Sequence, residues 1–146
     1  MTTVSSRATA EIAELYDGWV RAIRARDIDG ALSHYAPGVL SFDLVNPLQH
    51  QGVGAVKKRL QEWFASFNGP LEFEVRDLDV SAGEDFAFSH GMHHVHGTTT
   101  DGKSIDMWWR ATLCYRRESK AWLVTHSHTS VPFNMNTGMA SLDLEP

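Results

Sequence analysis

Histidines are the residues of this sequence whose type and spacing best suit a catalytic or metal-binding role. The stretch SHGMHHVHG at residues 89–97 carries four of the eight histidines, and His126 and His128 form a second pair two residues apart. Imidazole titrates near neutral pH and also binds transition metals, so such groups could transfer protons or hold zinc. Which of these two roles is open depends on the strand faces that the histidines occupy.

A zinc site needs three or four ligands of matched geometry. His94 and His96 together with His126 and His128 could supply them only if their two strands lie side by side. No carboxylate is placed to orient these imidazoles, and the neighbouring residues are mostly Met, Trp and Phe. We therefore predict no metal. No other cofactor is predicted either, because Gly52 and Gly54 lack the rest of a dinucleotide or phosphate-loop motif.

Asp43 is the carboxylate best suited to acid/base work with these histidines. It stands between Phe42 and Leu44, where a charge is awkward unless its face is polar or functional. A half-buried His94 or His128 near Asp43 could relay a proton. The structural alternatives are an edge-strand aspartate in water and a histidine satisfied by a backbone carbonyl or a tyrosine hydroxyl. His93 and His96 are also interpreted as ordinary polar strand residues.

The elements that must position these groups follow from apolar periodicity. Helical spacing from Thr9 to Tyr35 is interrupted near Asp27, which is predicted to cap a second helix that Pro37 ends. A strand is predicted at 39–45, a third helix at 51–70, strands at 71–80, 86–100, 104–117 and 121–133, and a polar tail at 134–146. The predicted fold is one α+β domain over 1–146, with three N-terminal helices on a strongly curved antiparallel sheet.

Alternation along the strands assigns side chains to faces. One face of the strand at 104–117 is apolar and carries Ile105, Met107, Trp109, Ala111, Leu113 and Tyr115. Pairing this strand with 86–100 through a turn at Asp101 and Gly102 predicts that Met92 and His94 share that face, with His96, while His93 lies opposite. A β-bulge at Gly91 or in the turn would reverse the assignment.

Three stretches of the chain carry a resemblance to a known family: DIDGALSHYAP leading to Asp43, the long hairpin at 97–117, and WLVTHSH at 122–128. In the order of these stretches and in their local sequences, residues 10–133 resemble the NTF2-like, or SnoaL-like, superfamily. This resemblance implies a cone-shaped α+β fold. The other face of the strand at 104–117 is mixed, and its Trp108 and Arg110 predict a homodimer through the convex side of the sheet. The resemblance also implies a concave apolar pocket, lined here by Trp19, Trp63, Met92, Met107 and Trp109.

The ketosteroid isomerase branch of the superfamily tests what chemistry the resemblance implies. Its mechanism uses a carboxylate base with a tyrosine and a protonated aspartate on the developing enolate oxygen. By the resemblance, the base falls on Asp43, the tyrosine position on Trp19 and the second aspartate near Ala111. Trp19 can donate a hydrogen bond but cannot act as an acid, and Ala111 can do neither. Classical ketosteroid isomerisation is therefore not predicted, although Asp43 remains a candidate base.

Composition limits the partners. The net charge of −5 does not predict the basic surface that binding to nucleic acid requires. No run of about 18 apolar residues predicts a membrane span. The N-terminus has no apolar signal region, and the single cysteine, Cys114, suits a reducing cytoplasm.

We therefore predict a small-molecule pocket protein. It would act as a cofactor-independent isomerase, cyclase or lyase on an aromatic, polyketide or steroid-like compound. In this prediction Asp43 abstracts a proton while His94 or His128 steadies the charge on oxygen. The alternative is a ligand-binding or dimerisation module without turnover, because this superfamily also includes non-catalytic members.

Overall fold

The computed structural model describes residues 4–146, with side chains from Ser6 onward. Its elements are α1 Val4–Ala25, α2 Ile28–Leu32, β1 Tyr35–Phe42, β2 His50–Gln51, α3 Val53–Ala65, β3 Phe67–Ala82, β4 Phe86–Thr99, β5 Ser104–Glu118 and β6 Ala121–Ser130. The predicted α+β class, with three helices packed on a curved and mostly antiparallel sheet, is confirmed. No helix of the described chain is both long and apolar enough to span a membrane.

The six strands form one sheet in the order β2-β1-β6-β5-β4-β3. The meander β4-β5-β6 has the predicted neighbours, and β1 then adds to β6 as the one parallel pair of the described sheet. In β3 a bulge follows Arg76, where Asp77 adopts a positive φ of 56°. Such bulges bend a strand and increase its twist, which accords with the strong curvature of the sheet.

Local signals explain the first turn of the chain. The Asp27 carboxylate caps α2 as predicted, because it accepts a hydrogen bond of 3.0 Å from the Gly30 backbone N–H. Tyr35, which we predicted at a helix end, instead begins β1. Pro37 accounts for this difference, since proline disfavours helical backbone at the residue before it and so favours an extended Ala36.

The β4–β5 turn determines which side chains share a face. Thr99 N–H donates to the Lys103 carbonyl at 2.8 Å, and Gly102 N–H donates to the Thr99 carbonyl at 2.9 Å. Gly102 has a φ of +85°. This is a three-residue hairpin loop with glycine in the left-handed region, rather than the two-residue turn that the prediction assumed.

Because the loop has an odd number of residues, odd-numbered residues of β4 face odd-numbered residues of β5. His93 lies opposite Trp109, and His94 lies opposite Trp108. The prediction that Met92 and His94 share a face with Met107 and Trp109 is therefore wrong. The reversal that a bulge in the turn would cause is the arrangement observed.

The helices cover one face of the sheet, called here the inner face, and the other is the outer face. The core between helices and inner face includes Ile12 and Tyr16 of α1, Val39 of β1, Tyr115 of β5 and Val124 of β6, all almost fully buried. The predicted apolar set of β5 lies on this inner face, where Ala111 and Leu113 are also buried. After β6, the segment predicted as a polar tail folds into one turn closed by the pair Phe133 and Ala140.

Candidate functional site

A buried hydrogen bond joins α1 to the inner face of the sheet. The Tyr16 hydroxyl lies 2.5 Å from His93 Nε2, and His93 is only 3% exposed. Burial lowers the pKa of His93 to about 3, so the imidazole is neutral at physiological pH. Burial also raises the pKa of Tyr16 well above its ordinary value, which keeps the phenol protonated. This pair is therefore a neutral polar group in an apolar interior.

Aromatic rings surround His93 on several sides. Its ring centroid lies 5.1–5.8 Å from those of four neighbours, Tyr16, Trp19, Phe73 and Trp109. Trp63 of α3 extends this cluster, with ring centroids 6.2 Å from Trp109 and 6.4 Å from Phe73. The inner face thus offers flat apolar walls around a few polar atoms, which is the usual composition of a small-molecule site.

A second phenol of the interior is that of Tyr35, the first residue of β1. Its pKa reflects burial, the charge of Asp43 and the Trp19 indole, whose N–H can only donate. Burial first, and then the nearby negative charge of Asp43, raise the pKa of Tyr35 to about 12. The Asp43 carboxylate is therefore close enough to the Tyr35 hydroxyl to act on it electrostatically.

Tyr115 adds a third phenol to the same interior. Its hydroxyl lies 2.8 Å from Ser89 Oγ, and burial raises its pKa. A negative charge on Tyr115 would further raise the pKa of Tyr16, and a negative charge on Tyr35 would further raise the pKa of Tyr115. The three phenols therefore influence one another. The inner face therefore gathers three protonated hydroxyls and one neutral imidazole.

Asp43 follows the last residue of β1 and is held from two sides. Its Oδ1 accepts a hydrogen bond of 2.5 Å from the Leu44 backbone N–H, and its Oδ2 lies 3.2 Å from Arg59 Nε on α3. Both side chains are 24% exposed. Asp43 is thus partly buried and ion-paired, unlike the freely solvated edge aspartate considered as an alternative, yet it can still be reached from solvent.

Polar groups also collect at this end of β1. Ser41 pairs with His50 of β2, and the hydroxyls of Ser41 and Ser127 lie 3.1 Å apart. Alternation places Ser41 and Asp43 on the same side of the chain. The end of β1 that carries Asp43 is therefore polar, whereas the interior between α1 and the sheet is aromatic.

The structure places His94 on the outer face, away from Asp43. Its Nδ1 lies 2.9 Å from Glu74 Oε1 and its Nε2 lies 2.5 Å from Asp106 Oδ1. Its ring stacks on Trp108 at 4.3 Å. Partial burial lowers the pKa of His94, but the hydrogen bonds that its ring donates to Asp106 and Glu74 outweigh that effect and raise the pKa above the ordinary value. Both ring nitrogens are thus occupied by carboxylates outside the cone.

His128 and Met92 also lie on the outer face. His128 is exposed, stands opposite Thr112 and packs against the ring of Phe42 at 5.4 Å. Met92 stands opposite Arg110. Of the residues predicted to line the site, Trp19, Trp63, Met107 and Trp109 belong to the interior, and their role in ligand binding stays a prediction.

The histidine pairs do not combine into a metal site. Strand β5 separates β4, which carries His94 and His96, from β6, which carries His126 and His128. Among the side chains described, from Ser6 to the C-terminus, no group of three or more His, Cys, Asp or Glu is arranged to hold a metal ion.

Two grooves on the surface of the protein do not contain the polar groups of the interior described above. A groove of about 660 Å³ runs along α1 and α2 and shares only Trp19 with the candidate site; Leu15 and Trp122 also line it, among others. A smaller one, of about 440 Å³, lies beside Arg24 and His94. Neither contains Asp43 or His93, so we base the candidate site on the polar groups of the interior.

Sequence reasoning missed three groups of the interior: Tyr16, Tyr35 and His93. Tyr16 could have been found, because its spacing from Ile12, Trp19 and Ile23 places all four on one helical face. Tyr35 was assigned to a helix and therefore to no strand face. His93 was assigned to the wrong side because its face depends on the number of residues in the β4–β5 turn.

The fold and this site can now be compared with known proteins. The family model of the SnoaL-like domain matches residues 12–134. The chain belongs to the SnoaL-like family. This confirms the resemblance seen in the sequence. Among curated proteins, none matches the chain.

Solved structures support the same assignment for this SnoaL-like domain. It is similar to an NTF2-like protein of unknown function from Pseudomonas putida, at 36% identity, a TM-score of 0.89 and coverage of 97% of this chain and 99% of that one. A protein proposed to be an NTF2-like dehydratase from Streptomyces avermitilis matches at 16% identity and a TM-score of 0.74, covering 86% and 97% of the two chains.

A ketosteroid isomerase-like protein from Erwinia carotovora matches the SnoaL-like domain at 16% identity and a TM-score of 0.70, covering 83% of this chain and 93% of that one. At identities this low, the last two likenesses establish a shared fold and nothing about activity.

Proposed function

We propose that this SnoaL-like domain binds a small, mostly apolar molecule against its aromatic inner face and catalyses a cofactor-independent proton transfer on it. The reaction class is isomerisation, cyclisation or elimination next to a carbonyl group. One observation carries the proposal: the Asp43 carboxylate is partly buried yet reachable from solvent, and its charge contributes, after burial, to the raised pKa of the Tyr35 hydroxyl.

Asp43 is the base in this proposal. It removes a proton from the carbon beside the substrate carbonyl, and the electron pair of that C–H bond moves onto the carbonyl oxygen as an enolate. The proton then returns from Asp43 to another carbon in an isomerisation, or leaves with a hydroxyl group as water in an elimination. No redox partner is needed, because the substrate is neither oxidised nor reduced overall.

Tyr35 stabilises the enolate oxygen. In this proposal the Trp19 indole N–H, which can only donate, interacts with a lone pair of the Tyr35 oxygen, so that the phenol hydrogen is available to a substrate. A fixed donor of this kind in a water-poor site contributes about 3 kcal/mol to transition-state stabilisation in known enzymes. Tyr35 thus takes over the stabilisation of the oxygen charge that was predicted for His94 or His128, because both histidines lie on the outer face.

The aromatic walls define the kind of substrate. Trp19, Trp63, Phe73 and Trp109 form ring-to-ring contacts that a flat apolar ligand can replace with contacts of similar energy. This supports an aromatic or polycyclic compound with few polar groups. The similar structures described as a dehydratase and as ketosteroid isomerase-like agree with the reaction class through their fold alone.

Solvent exchange tests the proposal without knowledge of the natural substrate. In D₂O, 2-tetralone exchanges its α-hydrogens when a base removes them, and NMR follows the loss of their signal. We expect the wild-type protein to accelerate this exchange and Asp43→Asn to abolish the acceleration. The control is Asp29→Asn, which removes the same charge from an exposed site whose nearest cation, Lys57, lies 3.9 Å away.

Two results would contradict the proposal. One is exchange no faster with the protein than in buffer. The other is acceleration that survives Asp43→Asn. Saturable binding of 2-tetralone without exchange would favour the alternative of a ligand-binding module without turnover, and dimerisation without binding would favour a dimerisation module.

A further inference from the structure

Two buried side-chain atoms near the end of β1 that carries Asp43 have no hydrogen-bond partner. They are Nδ1 of His50, a residue only 8% exposed, and Nε of Arg59. The Arg59 atom lies 3.2 Å from Asp43 Oδ2, which makes an ion pair but not an aligned hydrogen bond. Buried polar atoms are almost always satisfied in native proteins, so two together at one site call for an explanation.

These atoms belong to one end of β1. His50 pairs with Ser41, two residues before Asp43, and α3, which carries Arg59, begins at Val53 directly after β2. Ser41 and Ser127 add two hydroxyls to the same end, 3.1 Å apart. The two unpartnered atoms thus belong to residues associated with the polar end of β1 that carries Asp43.

The chemistry of the two side chains selects an anionic oxygen ligand. A guanidinium presents five N–H donors in a planar fork that matches a carboxylate, and it accepts nothing. A neutral imidazole donates through Nδ1 when that nitrogen carries the proton. Hydrogen bonds from such groups to an ionised oxygen are about twice as strong as those to a neutral one.

We propose that His50 and Arg59 form a carboxylate-binding subsite beside Asp43, and that the natural substrates are apolar carboxylic acids. This inference rests on the proposed function, because it names the substrate class for the same site. Arg59 lies next to both carboxylates in the complex and offsets the repulsion between them. The acid group would then remain at the polar end of β1 while the apolar part of the molecule lies against the rings.

Matched ligands test the subsite directly. The probes are 2-naphthylacetate and 2-naphthylacetamide, which share ring and shape but differ in charge, with binding measured by calorimetry. We expect the wild-type protein to bind the acid about tenfold or more tightly than the amide, as charge-assisted hydrogen bonds require. Arg59→Gln should remove this preference, and His50→Gln should reduce it.

The control is Lys58→Gln, which removes one positive charge from an exposed position of the same helix and should leave the preference unchanged. Asp43→Asn provides a second measurement that leaves Arg59 intact, in case Arg59→Gln does not fold. Removing the competing anion should tighten binding of the acid severalfold while leaving binding of the amide unchanged.

Equal binding of acid and amide, binding of neither, or a preference that survives Arg59→Gln would overturn the subsite. So would weaker binding of the acid by Asp43→Asn. The proposed function fails separately, because it depends on the exchange of 2-tetralone, a neutral ketone. A preference for the acid without exchange of 2-tetralone would support the subsite and refute Asp43 as the base. Exchange without a preference for the acid would support Asp43 as the base and refute the subsite.

Discussion

The Tyr16 hydroxyl and the His93 imidazole share a 2.5 Å hydrogen bond that ties α1 to the inner face of β4. Neither group is charged at physiological pH, because burial lowers the pKa of His93 to about 3 and raises that of Tyr16. The fold therefore holds an imidazole that binds a proton far less readily than it does in the unfolded chain. This relationship gives the stability of the protein a definite dependence on pH.

We expect His93 to destabilise the fold in acid. Its pKa is about 3 when folded and about 6.5 when unfolded, so the unfolded chain binds more protons between these values. The free energy of unfolding should therefore fall as the pH falls from about 6.5 toward 3, by up to about 5 kcal/mol from this residue. Urea denaturation of the wild type and of His93→Gln across that range measures the effect.

His93→Gln should be less stable than the wild type at neutral pH, and the gap should narrow as the pH falls. The control is His90→Gln, which alters an exposed histidine of the same strand. Parallel pH profiles for the wild type and His93→Gln would contradict the prediction.

His94 should act in the opposite direction. Its pKa is raised by Asp106 and Glu74, so its contribution to stability is complete below about pH 6.5 and is lost as the pH rises through the folded value. The site is solvent-exposed in part, and we expect no more than about 1 kcal/mol. An NMR titration of the ring protons checks the direction, with Asp106→Asn expected to lower the pKa. Titration of His94 below 6.5 in the wild type would refute the prediction.

Gly102 tests the turn that sets the β4–β5 register. Its φ of +85° favours glycine, and an added Cβ would meet nothing within 4 Å. Gly102→Ala should therefore destabilise the fold by about 1 kcal/mol through the backbone alone. Gly54→Ala is the matched control, because Gly54 lies in α3 with equally open space, and alanine there should stabilise by about 0.5–1 kcal/mol. Chemical denaturation measures the stability change of each variant. A change in the same direction for Gly102→Ala and Gly54→Ala would contradict the prediction.

The homodimer through the outer face remains a prediction that solution measurements can check. The structure places Trp108 and Arg110 on that face, together with the exposed rings of Phe86 and Phe88, which are 67% and 49% exposed. Phe88→Glu and Arg110→Glu should convert a dimer to monomers in light scattering, because each would bury an unpaired charge in the contact. Lys58→Glu on α3 is the control. A wild-type protein that is monomeric at micromolar concentration would rule out the contact.

Several features were decided by the sequence alone, because they depend on neighbours in the chain. Asp27 caps α2 through a hydrogen bond to Gly30, three residues on. The apolar row of β5, from Ile105 to Tyr115, follows from strict alternation and lies on the inner face as predicted. Local steric and hydrogen-bonding rules act over a few residues, so the sequence is enough to apply them.

Only the tertiary structure decided which histidine lies inside the cone. Alternation correctly separates His93 from His94, but the side that each takes depends on whether the β4–β5 loop has two residues or three. One extra residue moves every side chain of a strand to the other face. The ion pair between Arg59 and Asp43 likewise depends on the packing of α3 against β1, which itself adds to β6. These contacts join residues far apart in the chain, and their formation is governed by packing rather than by any local pattern.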